Sequence, residues 1–406
     1  MSQTMTTETA TQLATPLAPT PLAQTPAAAG APLTDYRGVL TVASFASEAA
    51  ETAAAFDSAV VYDLGWQQRV AVTGEDRVRW LNGMVTHNVA ALCAHPPEAT
   101  SAGVGNYNFV LNAQGRIQGD CRVWRIWSDG QDRLELELAA YQSARLMAHL
   151  EHFIIMDDVE LTPLAGWTAL GLTGPKAAAV LQAAAQNALN PAVDPAFDPA
   201  AITPGTLSQG TAQVGHLRPA ANAQPIPVLV RRNSGRQANH LTLWCRSEDA
   251  HAAWLALLHS GATAIGAHTV ERLRIVEGAP AFGVDFADDT LPQETGIDDA
   301  LHFTKGCYLG QEIVERIRSR GQVHRHIRSL ELFPAQQPPA PGQELSDDDA
   351  KGIGKLTSVT CVQLEGAQRW FALALVRAEA EAAARVWTYP GGQARFRSTL
   401  PGTTTL

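Results

Sequence analysis

A chain of 406 residues with 46% hydrophobic and 17% charged residues is typical of a folded globular protein that contains more than one domain. This composition excludes a largely disordered chain, because such chains are poor in hydrophobic residues. The formal net charge of −10 argues against a general nucleic-acid binder, since affinity for phosphates depends on clustered Lys and Arg.

The amino-terminal segment lacks the basic residues of a targeting peptide. Its first 36 residues are rich in Thr, Ala and Pro and carry only two charged side chains, Glu8 and Asp35. Secretory and mitochondrial signals both depend on Lys or Arg. We therefore predict a disordered tail over residues 1–40. The chain also has no run of about 18 apolar residues, so we predict a cytoplasmic protein that does not associate with a membrane.

The five cysteines are odd in number, widely spaced and free of any Cys-x-x-Cys pair. This spacing excludes a disulfide framework, and it indicates that the chain does not hold a four-cysteine zinc or iron–sulfur cage by itself. The sequence therefore predicts no resident metal. The cysteines are Cys93, Cys121, Cys245, Cys307 and Cys361.

Two distant segments of the chain share one layout. Residues 69–84 and residues 168–184 each combine a short apolar strand, a Thr-Gly pair and an amphipathic helix. The Thr-Gly pairs, at residues 73–74 and 173–174, stand at the same distance from a leucine of the helix. A Thr or Gly at the end of a strand can cap the helix that follows.

A second strand and helix follow each of these segments. An alternating strand at residues 134–138 precedes a helix at residues 143–153, and a strand at residues 241–244 precedes a helical pattern around Trp254. The repeated order predicts an α+β fold of two related modules with antiparallel sheets. A chance repetition, which any α/β chain can offer, is the alternative.

Two stretches rich in Pro, Ala and Gly interrupt this pattern. We interpret residues 187–227 as a surface insertion within the second module. Residues 334–342 separate a final segment of short β-prone runs, as at residues 352–359 and 371–376. We predict a small β-barrel over residues 326–406.

Residues 305–312, with the sequence Lys-Gly-Cys-Tyr-Leu-Gly-Gln-Glu, carry the strongest chemical signal. Their two glycines allow unusual backbone angles or a close approach to a ligand. A helix is expected to begin near Gln311. The Cys307 thiol would then lie just before a helix N-terminus and beside Lys305, a position that makes a thiol reactive.

Two other interpretations of Cys307 remain open. A free cysteine is commonly a buried and inert residue in a tight loop. Alternatively, Cys307 could form a Cys–His pair with His302, although no Asn or Asp is evidently placed to orient that histidine.

The octapeptide at residues 305–312 resembles the signature of the YgfZ family, whose members are similar in fold to the glycine-cleavage T-protein and bind tetrahydrofolate. The resemblance extends from Phe56 to the end of the chain, apart from residues 187–227. The other segments that agree with it are residues 72–74, 106–116, Asp120, 277–280, 283–285, 291–294, Arg316, 320–321, Arg325 and 352–358.

The resemblance implies a T-protein-like body, with a folate-binding region over residues 41–325 and tetrahydrofolate or a derivative in a central channel. It implies a monomeric accessory factor, without its own turnover, for the assembly, maintenance or repair of iron–sulfur enzymes, including enzymes that thiolate tRNA. Its partners would be iron–sulfur client enzymes or cluster carriers, with no direct contact to nucleic acid. A folate-dependent aminomethyltransferase or demethylase of the T-protein type is the alternative function, and a folate-responsive scaffold is a third.

The resemblance also implies candidate site residues. The catalytic candidates are Cys307, Lys305 and Asp120, with the thiol expected to face a cavity shaped for a pterin. The Asp120 carboxylate can accept both N–H groups of a pterin edge. The candidates for folate binding are Asp120, Tyr107, Asn112, Arg274 and Glu294. The motif residues are Lys305, Gly306, Cys307, Tyr308, Gly310, Gln311 and Glu312.

Each folate-binding candidate has a structural alternative. Asp120 can be an ordinary turn aspartate, and Tyr107 and Asn112 can be loop or strand-end residues. Arg274 can belong to an exposed ion pair, and Glu294 can cap the segment that follows it.

One segment departs from the T-protein pattern. T-proteins carry a Thr-Gly-Glu turn in the second module, and its glutamate assists pterin binding. The comparable residues 232–236 read Arg-Asn-Ser-Gly-Arg and contain no acid. This difference argues against aminomethyl transfer and is compatible with folate binding.

Two histidines, His324 and His326, fall on one side of a predicted strand. Together with Cys307 they could form a transient metal site. A polar strand face explains the same pattern without any metal.

Overall fold

The structure, a computed structural model, describes residues 17–94, 102–128, 131–186, 209–220, 223–321, 323–364, 366–383 and 386–397. The helices, in chain order, are α1 (Glu48–Asp57), α2 (Arg77–Met84), α3 (Val89–Cys93), α4 (Ala140–Glu151), α5 (Ala177–Gln186), α6 (Ala250–His259), α7 (Ala267–Val276), α8 (Gln311–Arg320) and α9 (Ala378–Ala383). The strands, in chain order, are β1 (Leu33–Tyr36), β2 (Val39–Val42), β3 (Val60–Asp63), β4 (Gln67–Thr73), β5 (Gly103–Leu111), β6 (Ile117–Ser128), β7 (Gln131–Ala139), β8 (Glu160–Pro163), β9 (Trp167–Thr173), β10 (Thr211–Leu217), β11 (Ile226–Arg232), β12 (Leu241–Arg246), β13 (Thr263–Ala264), β14 (Arg325–Pro334), β15 (Glu344–Ser346), β16 (Gly352–Leu364), β17 (Ala367–Arg377), β18 (Trp387–Tyr389) and β19 (Gly392–Phe396).

The two predicted modules share one sheet. In the described part of the chain, eleven strands follow the order β13-β3-β9-β12-β11-β10-β5-β6-β7-β4-β8. All neighbours are antiparallel except β13 and β3. The halves meet where β10 pairs with β5, at Thr211 opposite Val104. The α+β fold of two related modules is therefore confirmed, with a continuous sheet in place of two separate ones.

The two halves of the sheet repeat the same strand order. In the first half β4 lies between β8 and β7, and in the second half β9 lies between β3 and β12. Strand β8 precedes β9 in the chain but pairs with β4, whereas β3 precedes β4 but pairs with β9. Each half therefore takes an outer strand from the segment that leads into the other half.

The glycine of each Thr-Gly pair follows a strand and lies close to the residues that lead into the exchanged outer strand. Gly74 and Gly174 adopt positive φ angles of 98° and 102°. A Cβ on Gly74 would lie 2.0 Å from the Asp158 carbonyl oxygen, and one on Gly174 would lie 2.3 Å from that of Ser58. Only glycine fits both the angle and the close approach. The predicted capping role is wrong at α2, because its N-cap residue is Asp76.

The helices cover the sheet at two apolar clusters. In the first half, α2 and α4 contribute Leu81 and Leu146 to a core with β4, β6 and β7. In the second half, α5 and α6 contribute Leu181 and Trp254 to a core with β9 and β12. None of the helices in the ranges given above is long and apolar enough to cross a membrane.

The carboxy-terminal segment forms the predicted β-barrel. Among the described residues, strands β14, β17, β16, β15, β18 and β19 close on themselves in that order. Leu330, Leu356 and Trp387 lie in its interior. Helix α8 connects this barrel to the motif at residues 305–312 and begins at Gln311, where the sequence predicts a helix start.

The prediction of a disordered tail is wrong for residues 17–40, while residues 1–16 lie outside the described part of the chain. Leu22 is fully buried in the core of the second half, and the hydroxyl of Thr20 donates to the carboxylate of Asp63. Strands β1 and β2 form an antiparallel hairpin. Composition misled here, because burial of one leucine and a few hydrogen bonds order a segment that has almost no charge.

The predicted surface insertion is also wrong in part. Residues 187–208 lie outside the described part of the chain. Strand β10 follows them, and it occupies the centre of the sheet with Ala212 and Leu217 buried. The Pro-rich and Gly-rich flanks concealed an alternating strand.

We predict that Leu22→Ala lowers the free energy of unfolding by about 2–5 kcal/mol, because it opens a cavity in a core that cannot fully relax. The matched control is Leu33→Ala, since Leu33 is 45% exposed on β1. Urea denaturation of the full chain measures both. Equal stability of the two variants would show that the segment does not pack in the core.

Candidate functional site

A cavity of about 1180 Å³, including its open mouth, lies between the two halves of the sheet. Its walls come from β5, β6, β7 and α4 of the first half and from the β11–β12 connection of the second. The turn of the β1–β2 hairpin, residues 62–67 from the end of β3 to the start of β4, α7 and the residues after α7 complete it. A concave site at the junction of two modules is where small ligands commonly bind.

Asp120 lies in this cavity with both carboxylate oxygens oriented. The hydroxyl of Tyr107 donates to Oδ2 at 2.5 Å, and Nε2 of Gln142 donates to Oδ1 at 2.9 Å. Burial, followed by the Asp120 charge, raises the pKa of Tyr107 well above its ordinary value, so the phenol remains a donor. Each oxygen keeps a free lone pair, which allows the carboxylate to accept two N–H groups from a ligand.

Aromatic side chains form much of the cavity wall. Tyr107 and Tyr62 lie on its two sides, and Trp66 packs edge-on against Tyr36 at 5.8 Å between ring centroids. The hydroxyl of Tyr141 donates to the Phe282 carbonyl oxygen at 2.5 Å. A flat heterocycle can stack in such surroundings.

The hairpin turn brings an arginine into the cavity. Arg37 has a positive φ of 56°, and a Cβ on the following Gly38 would lie 2.8 Å from the Cβ of Tyr141. The guanidinium lies over the rings of Tyr36 and Trp66 and is 3.5 Å from the nearest carboxylate oxygen of Glu271. A strained backbone of this kind persists where the surroundings fix it, often at a functional site.

Arg274 lines the cavity, but its donors are used inside the protein. The guanidinium donates to Asp285 at 2.6 Å, to the Ser358 hydroxyl at 2.9 Å and to the carboxylate of Glu271. These bonds tie α7 to the barrel. Arg274 therefore shapes the cavity, and its predicted contact with folate stays a prediction.

The turn at residues 232–236 contains no acidic residue, but an acidic side chain from another segment lies beside it. Asn233, Gly235 and Arg236 all line the cavity. A Cβ on Gly235, where φ is +68°, would lie 2.5 Å from a carboxylate oxygen of Asp299. The acid thus comes from a distant segment, and this placement weakens the sequence argument against aminomethyl transfer.

Several buried polar atoms in the cavity have no hydrogen-bond partner within the described part of the chain. A buried polar group without a partner is costly, so such atoms mark a place for a ligand. The set contains both donors and acceptors. They are Trp66 Nε1, Gln67 Oε1, Arg122 Nε, Glu137 Oε1 and Asn233 Oδ1.

The motif at residues 305–312 lies elsewhere. None of its residues belongs to the described cavity wall, so the expectation that Cys307 faces the cavity is wrong. Cys307 is exposed, as is Gly306. Because Cys307 is exposed, the alternative of a buried thiol is wrong as well. The sequence indicated a distinctive loop but could not indicate its direction.

Lys305 anchors this loop to the first half of the sheet. Its ammonium donates to the carbonyl oxygens of Asn82, Val85 and His87 at 2.5, 2.6 and 2.8 Å. Burial lowers the pKa of Lys305 to about 7, whereas three carbonyl acceptors near the end of α2 favour its charged form. The three hydrogen bonds of the Lys305 ammonium therefore all go to backbone carbonyl oxygens.

The glycine of the motif allows a second close contact. Gly310 has a φ of +80°, and a Cβ there would lie 2.5 Å from the Asn112 carbonyl oxygen. Oδ1 of Asn112 accepts from the backbone N–H groups of Gln114 and Arg116, each at 3.0 Å. Asn112 therefore shapes a turn that supports the motif, outside the cavity.

The remaining motif residues have structural partners. Tyr308 is buried, and its backbone N–H donates to Oε1 of Gln311 at 3.2 Å. Glu312 is exposed and pairs with Arg316 at 2.7 Å.

Glu294 has a capping role, which was the structural alternative to folate binding. Its Oε2 accepts from the Leu291 backbone N–H at 2.8 Å, and its Oε1 accepts from Nε of Arg325 at 2.9 Å. It lies outside the cavity wall.

The histidine candidates are placed in two regions. His302 packs against His87 with 5.2 Å between ring centroids, and Nδ1 of His326 bonds to Glu381 at 2.6 Å. Within the described ranges, no group of three His, Cys, Asp or Glu side chains is arranged to hold a metal ion.

Sequence reasoning missed several residues of the cavity wall. Tyr36 and Arg37 fell in the presumed tail, and their Arg-Gly turn is not among the dipeptides, such as Asn-Gly, that mark a hairpin. Tyr62, His240 and Asp299 carry no local motif, and only the fold brings them together.

Fold and cavity together define a protein of a known family. Residues 22–305 match the family described as the GCVT N-terminal domain, and the chain belongs to that family.

Individual relatives agree with this placement. A putative chloroplastic transferase from Arabidopsis thaliana is 26% identical over 75% of this chain, and the match spans 63% of that protein's length. An aminomethyltransferase from Halalkalibacterium halodurans is 26% identical over 86% of this chain and 87% of its own. The crystal structure of the glycine cleavage system aminomethyltransferase T from Bartonella henselae has a TM-score of 0.74 at 20% identity, and it covers 95% of this chain and 98% of its own. This last similarity shows a shared fold.

We predict that Lys305→Met lowers the free energy of unfolding by about 2 kcal/mol, because it leaves buried carbonyl oxygens without their charged donor. The control is Lys355→Met, at an exposed position on β16. Hydrogen exchange should be faster at residues 305–310 in the first variant alone. Unchanged exchange and stability would show that the ammonium does not anchor the loop.

Proposed function

We propose that the cavity binds tetrahydrofolate and that the protein is a folate-dependent one-carbon transferase of the aminomethyltransferase type. The single observation that supports this most is the Asp120 carboxylate, which is held by Tyr107 and Gln142 within an aromatic cavity. A carboxylate so oriented matches the paired N–H groups of a pterin edge.

Other residues of the cavity suit the pterin ring and the glutamate tail of tetrahydrofolate. The rings of Tyr36, Tyr62 and Trp66 suit a flat pterin, and the unpaired polar atoms offer it further hydrogen bonds. Arg236, exposed at the β11–β12 turn, and Arg37 are suited to an anionic glutamate tail.

Tetrahydrofolate, when bound, supplies the nitrogen atoms that receive a one-carbon unit. The chain's own contribution is then to orient the ring and to handle a proton. Asp120 fixes the pterin edge, and the walls exclude water from the reacting atoms. Asp299 supplies the acid that the turn at residues 232–236 lacks.

We predict that Asp120→Asn weakens tetrahydrofolate binding by about 10- to 100-fold, since the variant keeps one acceptor oxygen and loses one charge-assisted hydrogen bond of about 1.5–3 kcal/mol. The control is Asp288→Asn, because the side chain of Asp288 is 64% exposed. Anaerobic calorimetry of the full chain measures the affinities. Equal affinity in the two variants, or an unmodified protein that does not bind, contradicts the proposal.

A second function is supported by a different observation, the exposed Cys307 beside an exposed glycine. We propose, from the resemblance to the YgfZ family, that this thiol contacts iron–sulfur client enzymes or cluster carriers in the cytoplasm. The protein would act there as a monomer, without contact to nucleic acid. Lys305 and Gly310 would hold the loop in a fixed position while the thiol remains accessible.

We predict that Cys307→Ser fails to restore iron–sulfur enzyme activity in a strain that lacks this gene, because a hydroxyl cannot replace a thiolate as a nucleophile or ligand. Cys361→Ser, at a half-buried position on β16, is the control and should restore activity. Full rescue by Cys307→Ser contradicts the accessory role. Steady-state turnover with tetrahydrofolate and an aminomethyl or N-methyl donor supports the transferase instead.

A further inference from the structure

Three titratable side chains form a hydrogen-bonded chain in the second-half wall of the cavity. The hydroxyl of Tyr62 on β3 is 2.6 Å from Nδ1 of His240. Nε2 of His240 is 2.5 Å from Oε1 of Glu277, at the end of α7. Tyr62 and His240 both line the cavity, so the bond between them lies at its wall.

The surroundings fix this chain of side chains. Tyr62 and His240 are each only 4% exposed. Gly171 lies opposite Tyr62 in the sheet, and a Cβ there would lie 2.1 Å from the Tyr62 ring. The second oxygen of Glu277 accepts from Nε2 of Gln237 at 3.3 Å. Such preorganisation is expected of an acid–base group and its orienting residues.

The direction of the hydrogen bonds follows from the carboxylate. An ionised Glu277 can only accept, so Nε2 of His240 carries the proton. Nδ1 is then an acceptor, and the Tyr62 hydroxyl donates to it. The oxygen of Tyr62 keeps lone pairs that can accept a proton from a ligand in the cavity.

We propose that Tyr62 is an acid–base residue of the cavity, with His240 as the residue that takes up its proton and Glu277 as the residue that positions His240. The identity of the ligand, an amine-bearing reduced pterin, rests on the proposed function. In the forward step the ligand nitrogen is positively charged once it has bonded to the one-carbon unit. Its N–H bond breaks, the electron pair stays on nitrogen, and a new Tyr62 O–H bond forms. The original Tyr62 O–H bond breaks at the same time, and His240 Nδ1–H forms. Two protons move, the net result is the transfer of one proton from the ligand to Nδ1 of His240, and the imidazolium is paired with the Glu277 carboxylate.

The charges that face Tyr62 are consistent with this role. Burial, followed by the charge of Glu277, raises the pKa of Tyr62, and Arg122 opposes these effects. Tyr36 raises the pKa of Tyr62 as well. A free tyrosinate is therefore unfavourable, and the proton has to pass through the hydroxyl to His240. The relay supplements Asp120, which lies on the first half of the sheet.

The first test uses the protein without ligand. Two-dimensional ¹⁵N NMR of histidine-labelled full-length protein should show His240 as the Nε2–H tautomer, with resonances assigned by their loss in His240→Gln. Tyr62→Phe should shift the Nδ1 resonance of His240, because it removes the donor. The Nδ1–H tautomer, or an Nδ1 resonance that does not respond to Tyr62→Phe, overturns the relay whether or not folate binds.

The second test uses turnover. Tyr62→Phe should lower kcat about 100-fold, the usual size of an acid–base contribution, and change KM less than about threefold. His240→Gln should lower kcat as well, because the Tyr62 proton then has no acceptor. Tyr389→Phe, at a buried tyrosine of the barrel, is the control.

The outcomes separate the two proposals. If Tyr62→Phe retains kcat, the relay is wrong while folate-dependent transfer stands. If the unmodified protein neither binds tetrahydrofolate nor turns over, the proposed function fails, and the tautomer of His240 still decides whether the relay exists.

Discussion

The buried ion network around Arg231 is the constraint on which the shape of the sheet depends. Arg231 on β11 donates to Glu137 on β7 at 2.6 Å and to Glu135, which also binds Arg69 on β4. Three strands separate β11 from β7, so a flat sheet would place them about 19 Å apart at ~4.8 Å per strand. An arginine cannot span that distance, and the sheet must therefore curl until its two halves face each other. The concave face so formed holds the cavity.

The same network explains why charged residues persist at the base of an aromatic cavity. Burial opposes the charge of Glu135, but Arg231 and then Arg69 outweigh it and lower the pKa of Glu135 to about 2. Removing one partner of such a set leaves an uncompensated buried charge, at a cost of about 3–5 kcal/mol. Glu137 uses one oxygen for Arg231 and for the Trp244 indole and has its other oxygen unpaired in the cavity. One side chain therefore serves both the fold and the site.

Periodicity in the sequence was enough to predict the elements whose apolar faces alternate regularly. Strand β7, helix α4, the start of α8 at Gln311 and the barrel all agree with their predicted positions. The hairpin β1–β2 and strand β10 were missed, because their order depends on tertiary contacts such as the burial of Leu22. Asp120 and Tyr107 were found through a family resemblance. The chain of Tyr62, His240 and Glu277 joins three segments that are far apart in the sequence, so no local pattern could indicate it.

The cavity and the motif at residues 305–312 lie in different parts of the molecule, but residues of both pack in the same apolar cluster. Tyr107 and Phe282 from the cavity wall pack in the same cluster as Tyr308 of the motif and Val314 of α8. Close-packed side chains transmit displacement, since a core has few voids to absorb it. The loop that presents Cys307 is therefore built on the back of the cavity wall, with Lys305 as its second anchor. A body of this kind has a cavity for the proposed folate inside and presents the Cys307 thiol outside, so the two proposed functions are compatible with one fold.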